Sequence, residues 1–76
     1  METKVFEVVS TVMNVPLDQV NLESDTNTIE AWDSLKQMTL MLSLEEAFGI
    51  TFDDDLVTEL TSVRNILKHV EKLKNN

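Results

Sequence analysis

The chain is predicted to be all-α, a small four-helix bundle with three longer helices, one short third helix and a long loop between the first and second. Three observations carry this expectation. One glycine and one proline in 76 residues leave too few turn-makers for a sandwich or barrel. Apolar residues recur at helical spacing over three stretches. Between those stretches stand the residues that start and stop helices.

The first helix is predicted from about Thr3 to Met13, where Val5, Val8, Val9 and Val12 fall at helical spacing with Phe6 and Met13. Valines are weak helix formers, so packing rather than propensity must hold this segment. Its end is expected at "NVP", where Pro16 forbids continuation and restricts Val15. From about Val15 to Trp32 the chain is rich in Asp, Asn, Ser and Thr. A connection this long is usually either disordered or functional, and Val20, Leu22 and Ile29 are its expected anchors. The second helix runs from Ser34 to about Phe48, and Gly49 supplies a left-handed stop. A short acidic-headed turn follows, "DDDLVTEL", with Leu56 and Leu60 four apart. The last helix begins near Thr61 or Ser62, both good caps. Val63, Ile66, Leu67, Val70 and Leu73 give it an apolar stripe, and its basic residues gather towards the C-terminal end, where the helix dipole favours them. Residues 1–76 are read as a single domain, without repeats or low-complexity runs. A domain of this size buries about 60% of the surface its unfolded chain exposes.

The net charge of −8 is unevenly spread. Between Asp18 and Glu59 stand eleven acidic residues and one base, Lys36, whereas Arg64, Lys68, Lys72 and Lys74 outweigh Glu71 after Leu60. The central stretch repels nucleic acid and anionic membrane. It either keeps a small protein soluble or attracts a basic protein partner. There is no cysteine, which excludes disulfides, thiolate zinc sites and a catalytic thiol, and the lone His69 excludes multi-histidine metal sites. No charged-then-apolar leader opens the sequence and no apolar run approaches bilayer length, so a soluble cytoplasmic protein, a monomer, is expected.

Laid out at about 100° per residue from Ser34, the second helix has two apolar arcs. Leu40, Met41, Leu44, Ala47 and Phe48 form the expected core arc, with Gln37 an awkward polar residue at its edge. Leu35, Met38 and Leu42 form a second arc on the other side of Ser34, fringed by Glu45 and Glu46. Either this helix is buried nearly all round, or the second arc faces a partner. So small a bundle cannot easily bury both arcs, and methionine adapts readily at contact surfaces, which favours the partner face.

Ser34 heads this helix. Free N–H groups and a positive dipole end suit a phosphate there, and Asp33 can cap the helix while leaving the serine hydroxyl free. No histidine base and no glycine-rich oxyanion turn accompany the serine, so it is not a nucleophilic catalyst. A serine modified by another protein fits.

The stretch "WDSLKQMTLMLSLEEAFGI" resembles the acyl carrier protein family, whose signature is Asp-Ser-Leu at the start of the second helix. The likeness covers almost the whole chain, from the first helix and long polar loop to a final helix begun by "TSV". It implies that Ser34 carries a 4′-phosphopantetheine arm, attached from coenzyme A by a phosphopantetheinyl transferase, whose thiol holds an acyl group as a thioester. It further implies that Asp33 and Leu35 complete the attachment motif. Met38 and Leu42 then occupy apolar partner-contact positions, and Glu45 and Glu46 match the family's paired acids. The implied partners are acyl-loading and acyl-transferring enzymes with basic docking patches. Where the family usually has Leu-Gly-x-Asp-Ser, this chain reads "IEAWDSL", with Ala31 in the glycine position and Trp32 before Asp33. That form looks like the stand-alone carriers of specialised pathways. Lys36 and Thr39 also stand where acids are common in the fatty-acid type.

Trp32 is read as an anchor for the loop or as part of the surface beside the arm. The run Asp53, Asp54, Asp55 is not a calcium loop, because an EF-hand begun at Asp53 would need glycine at Thr58 and glutamate at Arg64. His69 is read as a surface charge near the end of the last helix. Three functions follow in order: a non-enzymatic carrier of acyl thioesters for fatty-acid, polyketide or related biosynthesis; an aminoacyl or peptidyl carrier; and an acidic interaction module in which Ser34 is a structural helix cap.

Overall fold

Val5, Val9, Leu40, Leu44, Val63, Ile66 and Val70 are wholly shielded from water and come from three separate helices, which fixes where the core lies. The computed structural model describes residues 2–74; Met1, Asn75 and Asn76, within the expected domain range, lie outside the described residues. Its elements are α1 (Glu2–Met13), a 3₁₀ turn at Leu17–Gln19, α2 (Ser34–Phe48), α3 (Asp54–Val57) and α4 (Val63–Lys74). Among the described residues there is no strand, only one isolated bridge between Asp25 and Ser62. The all-helical expectation therefore holds, with the short third helix in place.

α1 stops one step sooner than Pro16 requires. Asn14 takes up the left-handed conformation, with φ of 57°, and the Val15 N–H closes on the Ser10 carbonyl at 3.1 Å. Gly49 ends α2 in the same manner, with φ of 65° and the Ile50 N–H on the Glu45 carbonyl at 3.1 Å. Both are Schellman-type endings, one built on asparagine and one on glycine. The Lys74 ammonium donates to the Phe48 carbonyl at 3.1 Å, covering a second C-terminal carbonyl of α2.

The long connection is ordered by its own side chains. The Asp25 carboxylate accepts from the N–H groups of Asn27 and Thr28, and the Ser24 hydroxyl accepts from Asn21 N–H. Val20 and Ile29 are buried as expected, Leu22 is half-buried against the same core, and Ser24 is buried with them. Two backbone bonds pin this loop to the start of α4: Val63 N–H to the Ser24 carbonyl at 2.9 Å, and Thr26 N–H to the Thr61 carbonyl at 3.2 Å. Of the two candidate caps, Ser62 caps α4, accepting from Asn65 N–H at 3.2 Å.

Candidate functional site at the head of α2

Asp33 stands in extended backbone immediately before α2, and its carboxylate accepts from Lys36 N–H at 2.9 Å. Its carbonyl takes the Gln37 N–H at 2.8 Å, the first turn of the helix. The cap is therefore Asp33. Ser34 is exposed, and among the described residues its hydroxyl has no hydrogen-bond partner. The N–H groups of Ser34 and Leu35 likewise find no acceptor among the described residues. An uncommitted hydroxyl beside two unpaired N–H groups at the positive end of a 15-residue helix suits a phosphate ester.

Beside Ser34 opens a pocket of about 440 Å³. Trp32, Gln37, Met38 and Val57 supply its apolar and amide walls, and Thr26, Thr58 and Thr61 bring hydroxyl-bearing side chains to it. Trp32 is both of the things the sequence offered: it is buried at 3% exposure and it walls this pocket.

The two arcs of α2 part as the angular reading expects. Leu40, Met41, Leu44 and Phe48 are buried, and Ala47 is half-buried against them. Leu35, Met38 and Leu42 are 80%, 52% and 63% exposed. They form an apolar strip running away from Ser34 along the outside of the molecule. Glu46 is exposed beside it, whereas Glu45 is half-buried and its carboxylate accepts from Phe52 N–H at 2.8 Å. The paired acids thus divide, one free and one engaged in holding the turn after α2.

Gln37 corrects the angular reading. It lies inside the core arc, not at its edge, and is 8% exposed. Its Oε1 accepts from Trp32 Nε1–H at 2.6 Å, and its Nε2 donates to the carbonyls of Val57 and Leu60 at 2.7 and 2.9 Å. The only sequence signal for this role was a polar residue among apolar ones. For the threonines around the pocket there was none, since two separate segments, the loop before α2 and the α3–α4 turn, bring them together.

The family model described as "Phosphopantetheine attachment site" matches residues 3–70. The acyl carrier protein of Helicobacter acinonychis is 33% identical over 67 residues, covering 88% of this chain and 86% of that one. This chain belongs to the acyl carrier protein family. The acyl carrier protein of Campylobacter hominis is 32% identical over 73 residues, covering 96% of this chain and 92% of its own length. That of Porphyromonas gingivalis is 29% identical over 72 residues, covering 95% and 92%. Acyl carrier proteins are carriers without catalytic activity of their own, and their prosthetic group is a covalently attached 4′-phosphopantetheine. The free hydroxyl and open N–H groups at the head of α2 fit such a group. Among the described residues no cluster of His, Asp and Glu is placed to hold a metal ion. No described helix is long and apolar enough to cross a membrane.

Proposed function

We propose that Ser34 bears the phosphopantetheine arm and that the chain delivers acyl thioesters to partner enzymes of fatty-acid, polyketide or related specialised biosynthesis. The observation that carries this reading is the division of labour at the head of α2: Asp33 caps the helix, so the exposed Ser34 hydroxyl is left uncommitted. The arm, when bound, supplies the thiol on which a thioester forms; the chain contains no cysteine to compete with it. Ser34 would offer its hydroxyl to the transferase, and its own N–H with that of Leu35, both without an acceptor among the described residues, would be free to receive a phosphate at the positive helix end. Asp33 holds that geometry without using the hydroxyl.

Leu35, Met38 and Leu42 provide an apolar docking strip, with Glu46 as its free acid and Glu45 contributing charge from a fixed position. A partner presenting a basic patch meets both the strip and the acidic central stretch, where electrostatic attraction raises the association rate. The "IEAWDSL" lead-in, with Trp32 built into the wall beside Ser34, favours a specialised pathway. Co-expression with a broad-specificity phosphopantetheinyl transferase is expected to add one arm to the wild type and none to Ser34→Ala, read by intact mass spectrometry. A wild type left unmodified by several transferases would overturn the assignment.

A further inference from the structure

Gln37 stands one helical turn below Ser34, and both polar atoms of its amide are engaged: the oxygen accepts from Trp32 Nε1–H, and the two N–H groups donate to the Val57 and Leu60 carbonyls. Three segments therefore meet on a single amide: the lead-in to α2, α2 itself, and the end of α3 with the turn after it. α3 has four residues and no side-chain cap at Asp53, so it does not hold itself in place. Gln37 and Val57 form part of the wall of the pocket beside Ser34. Leu40, Leu44, Val63 and Ile66, all at 0% exposure, line no part of that pocket. The core begins behind the amide.

We propose that the Trp32–Gln37 amide latch, seated between the lead-in to α2 and the end of α3, shuts the core to short thioester-bound acyl groups and leaves them in the solvent-open outer pocket, so that only long alkyl chains gain enough from burial to open it. This rests on Ser34 as the attachment point. A chain inserting between α2 and α3 strips three hydrogen bonds in an apolar setting and leaves Trp32, Gln37 and two carbonyls unpaired. Set against the gain per buried methylene, balancing that loss takes on the order of four to eleven methylenes. A hexanoyl group stands at the bottom of that range and stays outside. The pocket outside the latch, about 440 Å³ and walled in part by Trp32, Met38 and Val57, has room for such a short group.

The test loads wild type, Gln37→Met and Trp32→Phe with acetyl- or hexanoyl-phosphopantetheine from the corresponding coenzyme A thioesters. Hydroxylamine cleavage of each thioester is then measured relative to the free pantetheine thioester. Methyl NMR follows Leu40, Leu44, Val63 and Ile66. In the wild type both cargoes are expected to cleave like their free counterparts, with the core methyls unmoved between them. Gln37→Met keeps the side-chain volume, removes all three bonds of the latch, and is expected to protect hexanoyl at least ~10-fold while shifting the core methyls. Trp32→Phe, which frees a single bond, gives a smaller change of the same sign. Protection of hexanoyl in the wild type overturns the proposal, as does a folded Gln37→Met that behaves like wild type. Should Gln37→Met not fold, an unchanged Trp32→Phe overturns it instead. A wild type that accepts no arm, seen by mass before any cleavage is measured, instead defeats the Ser34 assignment on which the latch rests.

Discussion

Leu42 and Leu44 are the same residue type, two positions apart on α2, yet they belong to opposite worlds. Leu44 is 0% exposed and Leu42 63% exposed. Truncating a fully buried leucine to alanine costs about 2–5 kcal/mol, the transfer loss plus the cavity it leaves. At Leu42 only a little over a third of the side chain is out of water. Scaled from the value for full burial, Leu42→Ala costs about 0.5–1 kcal/mol. In a domain of this length each kcal/mol moves the melting temperature by ~4–8 °C. Leu44→Ala is therefore expected to lose ~8–40 °C and Leu42→Ala less than ~8 °C. Thermal and urea melts followed by far-ultraviolet circular dichroism on both variants measure the difference directly. Leu42→Ala should also slow acyl transfer from a partner enzyme, since that side chain lies on the proposed docking strip. Equal losses of stability at the two positions would show that both arcs of α2 are core, and the partner face would have to be abandoned.

Removing the cap at Asp33 isolates what that carboxylate does for the helix. Asp33→Ala is expected to lower stability by about 0.5–2 kcal/mol, while Asp33→Asn, which keeps a side-chain acceptor for Lys36 N–H, recovers most of it in the same melts. The two glutamates should separate in opposite senses. Glu45→Ala leaves the Phe52 N–H without its acceptor and costs about 1.5–3 kcal/mol, whereas Glu46→Ala leaves the melt unchanged and instead weakens binding to a basic partner, measured by titration calorimetry across salt concentrations.

The helices and the split of α2 were legible because periodicity reports burial directly. That the Ser34 hydroxyl would stay uncommitted was legible because a capping aspartate stood before it. What sequence could not supply was the destination of polar side chains across the fold. Gln37 reads as a misfit, since its three partners lie at Trp32, Val57 and Leu60, and two of those are backbone carbonyls that no residue type announces. Glu45 and Glu46 look alike because both follow the same acidic pattern, and only the position of Phe52 separates them. Pro16 is the louder of two stop signals after α1, although Asn14 tolerates the left-handed region well enough to end the helix by itself. The loop was visible as a long polar stretch, but its attachment to α4 through Ser24 and Thr26 uses main-chain atoms and leaves no trace in composition.

That attachment makes the segment before α2 something other than a flap. The opening amide of α4 depends on the Ser24 carbonyl, so residues 24–26 cannot lift away without leaving the Val63 N–H unpaired. Hydrogen exchange at Val63 thus reads out the departure of a stretch nearly forty positions earlier in the chain.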